Sequence, residues 1–193
     1  MTYPFPNKAD YRMTPTIRVV IPTYNRAAIV REAIASATRQ TAPDFEVVVV
    51  DDGSTDNSLQ VCHELAEADS RIRVISQVNG GVACARNTAI SQQGDYEYIA
   101  FLDSDDTWEA GHLERAVSAL ELHKEASLAF GLCKVIDPLG IIEKRGAMDC
   151  FERRPAPTTA PSVQSIKQNV FLVPASVCRR YIVRSELRIW MSS

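Results

Sequence analysis

The sequence has few cysteines, and their spacing excludes the roles that cysteines most often play in small domains. Five cysteines occur among 193 residues, and no two of them form a C-x-x-C pair. The odd number and the missing pairs argue against a disulfide framework and against a cysteine-bound zinc site. Cysteines that stay reduced fit the cytoplasm, so we expect a cytoplasmic chain. The five are Cys62, Cys84, Cys133, Cys150 and Cys178.

Long apolar runs and clustered positive charge are also missing. No run approaches the roughly 20 apolar residues of a transmembrane helix, and residues 1–16 lack the apolar core of a signal peptide. Acidic residues outnumber basic ones by 24 to 21, and no dense Lys/Arg stripe is present. We therefore expect a chain that is soluble as given and has no nucleic-acid partner, because nucleic acids are bound through clustered basic residues.

The sequence does contain a regular alternation of apolar runs and helical patterns. The β-branched apolar runs predict buried strands, and the segments between them repeat apolar residues at helical spacing. This alternation predicts a mostly parallel sheet flanked by helices, a three-layer α/β/α fold. The predicted strands are 17–21, ended by Pro22, then 45–50, 72–75, 96–102 and 128–136, and the predicted helices are 27–38, 57–68, 82–91 and 109–123.

Composition divides the chain into three parts. Residues 1–15 are predicted to be an N-terminal tail, and residues 16–149 carry the alternating pattern of the folded core. Residues 150–193 begin with prolines among Ala and Thr, which is typical of a surface loop. Residues 177–183 fit either a strand or the start of a helix, and periodicity does not decide between them.

Polar turns directly follow four of the predicted strands. In an open parallel sheet, ligands bind beyond the carboxyl ends of the strands, so we expect these turns to build one site. The first turn has no G-x-G-x-x-G, which argues against a dinucleotide-dependent oxidoreductase. The four turns are Pro22–Arg26, Asp51–Asp56, Asn79–Gly81 and Asp103–Asp106.

The acidic turns indicate a bound divalent cation. Asp103 and Asp105 flank Ser104, and alternate residues of an extended segment point the same way, so both carboxylates can approach one ion. Mg²⁺ and Mn²⁺ prefer such oxygen ligands, with phosphate oxygens and water completing the shell. For an isolated D-x-D, a capped and solvated turn is the alternative. The second acidic turn, Asp51–Asp56, favours a ligand site, because two converging like-charged clusters repel unless a ligand or cation uses them.

Other residues of these turns have chemistry suited to a nucleotide. Asp52 can accept hydrogen bonds from a base N–H or a ribose hydroxyl, and Gly53 permits a tight turn beside the ligand. Tyr24 is either a packed aromatic or a ring on which a base stacks. The amides at Gly81 lie at the start of a predicted helix, where phosphate is favoured, although a plain helix-start loop is the alternative. Arg86 is placed to reach phosphate or to pair with an aspartate of the site, and the sequence leaves both open.

These four segments together resemble glycosyltransferase family 2. The resemblance covers residues 16–136, and four linked motifs in this order are far more specific than any one of them. It implies a GT-A fold, the Rossmann-like fold of nucleotide-diphospho-sugar transferases, with residues 16–149 as the nucleotide-sugar-binding core. The matching stretches are V-I-P-T-Y-N-R at 20–26, V-V-D-D-G-S-T-D at 49–56, N-G-G-V at 79–82 with A-R-N at 85–87, and F-L-D-S-D-D at 101–106.

The resemblance also implies roles for individual residues. Pro22, Tyr24 and Asp52 would line the nucleotide-base pocket. Asp103 and Asp105 would be the D-x-D residues that bind Mg²⁺ or Mn²⁺, with Asp105 in closest contact. The full predicted nucleotide-sugar-binding set is Pro22, Thr23, Tyr24, Asn25, Arg26, Asp52, Gly53, Gly81, Arg86, Asp103 and Ser104.

The implied reaction is inverting transfer of a sugar from a nucleotide-diphosphate sugar, usually a UDP-sugar, to a hydroxyl acceptor. The acceptor would be a saccharide or a lipid-linked molecule in polysaccharide or glycolipid synthesis, with peripheral association at the inner membrane face. The family's catalytic base is the Asp of a Glu-Asp pair, which we expect beyond Ser193, so residues 150–193 would be an incomplete acceptor-side region. A catalytically silent nucleotide-sugar-binding chain is the alternative interpretation.

Overall fold

Eight strands and four helices form the fold that the computed structural model describes over residues 17–131, 133–136, 142–145 and 176–179. Strands and helices alternate through the first four strands, as the sequence pattern predicts. In chain order the elements are β1 (Ile17–Thr23), α1 (Val30–Thr38), β2 (Phe45–Asp51), α2 (Ser58–Ala68), β3 (Ile72–Ser76), α3 (Val82–Ser91), β4 (Tyr98–Phe101), α4 (His112–Leu122), β5 (Leu128–Phe130), β6 (Cys133–Ile136), β7 (Ile142–Arg145) and β8 (Ser176–Arg179).

The main sheet has six strands in the order β3-β2-β1-β4-β8-β5. Strands β1 to β4 pair in parallel, whereas β8 runs antiparallel to both β4 and β5. Strands β6 and β7 form a separate antiparallel pair. The prediction of a mostly parallel sheet is confirmed. The reversal of direction in the main sheet arises from β8 alone, inserted between two strands that precede it by many residues.

Helices cover both faces of the sheet, because the buried strands alternate apolar side chains between two cores. Val19 and Ile21 belong to one core with residues of α1, α2 and α4, while Val20 belongs to the other with Ala85 and Ala89 of α3. Trp108, beyond β4, is buried in the first core. The predicted three layers are therefore present. No helix among the described residues is long and apolar enough to cross a membrane.

Pro22 does not end the first strand, contrary to the prediction. Thr23 O accepts a hydrogen bond from Asp52 N, so Thr23 faces β2, and Val20 O accepts from Leu102 N, so Val20 faces β4. Pro22 has the orientation of Val20, and its nitrogen faces the position beyond the last paired residue of β4, Phe101. The missing N–H therefore removes no bond from the ladder, and β1 continues to Thr23.

Helix α1 begins at Val30, three residues later than predicted. Ala27 N donates instead to the Asp56 carboxylate at 3.1 Å, while Ile29 N and Val30 N both donate to Arg26 O. These bonds hold residues 26–29 as a turn. A side chain from another loop has replaced the first helical turn that the local pattern favours.

The predicted strand at 128–136 is two strands in different sheets. Residues Leu128–Phe130 join the main sheet as β5, and Cys133–Ile136 pair with β7. Gly131 lies at the break, where the absence of a side chain weakens a strand. The ambiguous segment at 177–183 overlaps strand β8 (Ser176–Arg179) over its described residues. The predicted tail and most of residues 150–193 lie outside the described residues.

Candidate functional site

Four loops meet at the carboxyl ends of β3, β2, β1 and β4, which are neighbours in the sheet. They are the β1 loop (24–29), the β2 loop (52–57), the β3 loop (77–81) and the β4 loop (102–111). Hydrogen bonds and ion pairs connect the β1 loop to the β2 loop, the β2 loop to the β3 loop, helix α3 after the β3 loop to the β4 loop, and the β4 loop back to the β1 loop. We call this closed arrangement the four-loop rim.

Asn25 joins the β1 loop to the β2 loop. Its backbone lies in the left-handed region, with φ of 52°, which Asn tolerates better than most residues. In that conformation Asn25 N donates to Ser54 Oγ at 3.0 Å, and Thr55 N donates to Asn25 Oδ1 at 2.8 Å. Asp56 adds a further bond by accepting from Ala27 N. The β1 loop is therefore shaped by the loop that follows β2.

Asp52 joins the β2 loop to the β3 loop. Its Oδ1 accepts from Gln77 Nε2 at 2.6 Å and from Gly80 N at 2.9 Å, and its Oδ2 accepts from Gly81 N at 2.8 Å. The residue is only 3% exposed. The buried carboxylate thus gives partners to two backbone amides that the turn would otherwise leave without a bond. Asp52 therefore anchors the β3 loop, and its Oδ2 can still accept one more hydrogen bond.

Gly53 and Gly81 let these two loops come together. Gly53 has φ of 75°. A Cβ there would lie 2.8 Å from Asn79 N, which is closer than a Cβ approaches a backbone nitrogen in folded proteins. Gly81 has φ of 86° and forms the N-cap of α3, where no side-chain hydrogen bond caps the helix. The first amides of α3 lack carbonyl partners within the helix, so they remain donors for an anion at this end of the sheet.

Arg86 joins α3 to the β4 loop. Its guanidinium forms a close ion pair with Asp103 Oδ1 and lies 5.9 Å from the centre of the Phe101 ring. The Arg86 side chain is 11% exposed and that of Asp103 is 34% exposed. The buried Nε of Arg86 has no hydrogen-bond partner within the described part of the chain. A positive donor is thus held beside the D-x-D motif.

Arg26 closes the rim by pairing with Asp105. The distance from Arg26 Nη2 to Asp105 Oδ2 is 3.7 Å, and the two side chains are 46% and 54% exposed. A pair this long and this exposed contributes little to stability, because water competes for both groups. Arg26 N is held more firmly, since it donates to Ser58 Oγ at 2.7 Å. The backbone of Arg26 is therefore held by a hydrogen bond, whereas its guanidinium is held by a long, exposed ion pair.

Asp106 is a third carboxyl group beside the D-x-D pair. Burial, together with the charges of Asp103 and Asp105, raises the pKa of Asp106 to about 6. Its backbone N donates to Asp103 O at 3.1 Å, which closes the turn. Asp106 is not among the predicted site residues, although the run D-S-D-D in the sequence places it beside the other two.

The D-x-D turn offers two carboxylates to a divalent cation. Among the described residues, no group of three or more His, Cys, Asp or Glu side chains is arranged to hold a metal ion. Asp103 and Asp105 each face an arginine. Their carboxylates are the hard oxygen donors that Mg²⁺ and Mn²⁺ prefer, and such ions keep several water or phosphate ligands. The turn therefore fits a cation that arrives with phosphate oxygens, and it does not fit an all-protein cage.

The ends of β1 and β2 carry the remaining predicted residues. Pro22 and Thr23 are buried at the end of β1, whereas Tyr24, the first residue of the β1 loop, is 46% exposed. Thr23 is in register with Asp51, and both Thr23 Oγ1 and Asp51 Oδ1 are buried without a hydrogen-bond partner among the described residues. Burial, together with the charges of Asp51 and Asp56, raises the pKa of Cys62 on α2 to about 12.

The structure places the predicted residues on the four-loop rim or the strand ends beneath it, except Arg86, which lies on α3 and contacts the β4 loop. Ser104, between the two D-x-D carboxylates, is buried. Asp52 and the D-x-D pair lie in different parts of the rim, since Asp52 binds the β3 loop and the D-x-D pair contacts Arg86 and Arg26. Sequence reasoning missed Gln77, which donates to Asp52 and accepts from Thr88 Oγ1 at 2.5 Å. No pattern in the sequence marks Gln77.

Comparison with known proteins gives the family and the fold. The family described as Glycosyl transferase family 2 matches residues 18–184. Chondroitin synthase of Pasteurella multocida is 36% identical over 132 residues, which are 68% of this chain and 14% of that protein. A crystal structure of S. aureus TarS 1–349 in complex with UDP superposes with a TM-score of 0.67 at 27% identity, covering 88% of this chain and 48% of that one.

A mannosyltransferase from Pyrobaculum calidifontis, solved in complex with GDP-Man and Mn²⁺, has the same fold. Its TM-score is 0.51 at 31% identity, and the match covers 62% of this chain and 36% of that one. The chain spans less than half the length of each of these three relatives. The predicted GT-A fold is confirmed.

Proposed function

This chain belongs to glycosyl transferase family 2, and we propose that it binds a nucleotide-diphosphate sugar at the four-loop rim for transfer of the sugar to a hydroxyl acceptor. The observation that carries the proposal is the closed rim itself. Base-stacking, phosphate-binding and cation-binding chemistry lie on four adjacent strand ends and are joined by direct contacts. Ligands of open α/β sheets bind at this end of the strands.

We assign the nucleoside to the ends of β1 and β2. Tyr24 is 46% exposed and carries an aromatic ring on which a base can stack, and it directly follows the buried Pro22 and Thr23. The free lone pair of Asp52 Oδ2 can accept from a base N–H or a ribose hydroxyl. Asn25 and Gly53 shape the turns on either side. TarS binds UDP and UDP-GlcNAc, which favours a uridine nucleotide here.

We assign the diphosphate to the opposite part of the rim. The first amides of α3, beyond Gly81, point at that region, and the Arg86 and Arg26 guanidinium groups lie beside it. Asp103 and Asp105 would hold Mg²⁺ or Mn²⁺, and Ser104 spaces the two carboxylates. A cation bound there neutralises the negative charge that the departing diphosphate develops. The Mn²⁺ complex of the mannosyltransferase supports this assignment.

The acceptor side is proposed from the relatives. Chondroitin synthase is named for making a polysaccharide, so we propose a saccharide or lipid-linked hydroxyl as the acceptor. Work on a lipid-linked acceptor would place the protein in the cytoplasm at the inner membrane face. In an inverting transfer a carboxylate base deprotonates the acceptor hydroxyl as it attacks the anomeric carbon. None of the residues of the four-loop rim is assigned this role.

Calorimetric titration with UDP, with and without Mn²⁺, tests the proposal. We expect UDP to bind the chain, with affinity at least about tenfold higher in Mn²⁺ than in EDTA, because one cation contacts both diphosphate and carboxylates. Asp105→Ala should abolish this gain and leave the melting temperature unchanged, since the side chain is exposed. The matched control is Asp95→Ala, an exposed aspartate before β4 at the opposite end of the sheet.

The two substitutions separate the outcomes clearly. Loss of the Mn²⁺ effect in Asp105→Ala and its retention in Asp95→Ala supports the assignment. An equal Mn²⁺ effect in both variants removes Asp105 from the cation site. A folded chain that shows no affinity for UDP under any of these conditions overturns the proposed function itself.

A further inference from the structure

Both carboxylates of the D-x-D motif are paired with an arginine from a neighbouring part of the rim. Arg86 of α3 pairs with Asp103, and Arg26 of the β1 loop pairs with Asp105. We propose that the two arginines neutralise the D-x-D carboxylates in the free protein and transfer to the diphosphate when a cation and a nucleotide bind together. The inference rests on the proposed function and names the residues that couple the two ligands.

The charges on these four residues favour such an exchange. Two carboxylates and two guanidinium groups are paired with one another, so either ligand arriving alone meets groups of opposite charge that already have a partner. A cation arriving alone must displace the arginines into positions where nothing neutralises them. A diphosphate arriving alone must take arginines from carboxylates that would then face it. When both arrive, the cation takes the carboxylates and the diphosphate takes the guanidinium groups.

The surroundings of Arg86 suit a residue that changes partner without leaving the site. Its side chain lies over Phe101 and is 11% exposed, so burial holds it at the rim. Its buried Nε has no hydrogen-bond partner among the described residues, so part of its donor capacity is unused in the free state. A guanidinium presents several donors in a planar fork that matches phosphate as well as carboxylate.

The two pairs differ in strength, and the difference predicts an order of effects. The Arg86–Asp103 pair is close and partly buried, whereas the Arg26–Asp105 pair is 3.7 Å long and exposed at both ends. Partly buried pairs are screened less by water and salt than exposed ones. Removing Arg86 should therefore change ligand binding more than removing Arg26 does.

A fixed structural role for the arginines predicts the opposite sign. If the pairs only hold the two aspartates in place, removing an arginine disorders the carboxylates and weakens the binding of Mn²⁺. If the arginines compete with the cation, removing one frees a carboxylate and strengthens the binding of Mn²⁺ alone. The affinity for Mn²⁺ without nucleotide therefore distinguishes exchange from a static pair.

The test compares Arg86→Gln, Arg26→Gln and the control Arg31→Gln, an exposed arginine whose ion pair with Glu64 lies on α1 and α2. Binding of Mn²⁺ alone is measured by electron paramagnetic resonance, and binding of UDP in EDTA by calorimetry. For Arg86→Gln we expect Mn²⁺ affinity to rise about tenfold and UDP affinity in EDTA to fall about tenfold, within the usual range of coupling between sites. Arg26→Gln should shift both in the same directions by less, and Arg31→Gln should shift neither.

Arg86→Lys separates the charge of the arginine from its planar shape. Arg86→Lys keeps the positive charge, so it should bind Mn²⁺ as weakly as the unmodified chain while losing the forked contact to phosphate. If Arg86→Gln fails to fold, Arg26→Gln carries the test, because that side chain is exposed.

The outcomes separate the inference from the proposed function. Unchanged or weaker Mn²⁺ binding in folded Arg86→Gln or Arg26→Gln, with UDP still bound by the unmodified chain, overturns the exchange and leaves the proposed function standing. Failure of the unmodified chain to bind UDP in either condition overturns both.

Discussion

Asp52 shows how one buried carboxylate can organise two loops. Its three hydrogen bonds reach Gln77, Gly80 and Gly81, which belong to the loop after the neighbouring strand. Asp52 N is itself bonded to Thr23 O, so the residue also continues the ladder from β1. The aspartate therefore connects three adjacent strand ends. Hydrogen bonds to a charged acceptor are worth more than neutral ones, which suits a residue in this position.

Asp52→Ala should destabilise the fold and weaken nucleotide binding together. The substitution leaves two loop amides and a glutamine without their acceptor, and hydrogen bonds to charged groups contribute about 1.5–3 kcal/mol each. We expect the free energy of unfolding to fall by about 3 kcal/mol in urea titration, because the amides regain some bonds to water. The control Glu67→Ala, at an exposed position of α2, should change it by less than about 0.5 kcal/mol. Equal stability of the two variants would show that Asp52 is not the anchor.

At the scale of whole elements, helix α1 holds the segment that follows the D-x-D motif. Ser36 Oγ accepts from Trp108 N at 3.1 Å. Just beyond the helix, Gln40 Nε2 donates to Glu109 O at 3.0 Å, and Gln40 Oε1 accepts from Leu113 N at 3.1 Å. Helix α4 has no side-chain bond at its N-cap, so Gln40 supplies from another element the acceptor that a capping residue would give. The β4 loop is thus fixed at the end that leads into α4.

Gln40→Leu should loosen the β4 loop and reduce the metal-dependent part of UDP binding. Leucine fills a similar volume but leaves the buried Leu113 N without its acceptor, a loss of about 2 kcal/mol in stability, and it removes one of the bonds that Glu109 O accepts. We expect a severalfold smaller gain of UDP affinity on adding Mn²⁺, with UDP affinity in EDTA little changed. The control is Gln60→Leu, which removes only an exposed bond to Glu64. A Mn²⁺ gain equal to that of the control would show that the anchor does not position the D-x-D turn.

The elements differ in how far the sequence could predict them. Strands β1 to β4 and helices α2 and α3 follow from local patterns, because each buries one continuous run or stripe. The position of strand β8 in the sheet could not be predicted, because its partners β4 and β5 lie far from it in the chain. Pairing over that distance produces no local sequence pattern. The late start of α1 could not be predicted from local sequence either, because it depends on the Asp56 carboxylate from another loop.

For the molecule as a whole, the location of the site was predictable and its internal contacts were not. Parallel strands bring their carboxyl ends to one edge, so the four polar turns had to meet there. Which side chains then pair depends on three-dimensional packing. The sequence left open whether Arg86 reaches phosphate or an aspartate, and the structure shows it on Asp103. Asp52 was expected to face a ligand and is found holding the β3 loop.

Hydrogen–deuterium exchange in the presence of UDP and Mn²⁺ tests most directly whether one nucleotide engages all four loops. Local exchange slows where a ligand stabilises a segment. The account predicts slower exchange together at residues 24–27, 53–56, 79–84 and 104–107, with no change at 39–44, 69–71 and 92–97 at the opposite end of the sheet. Protection of a single loop, or protection at the opposite end, would contradict a shared site at the four-loop rim.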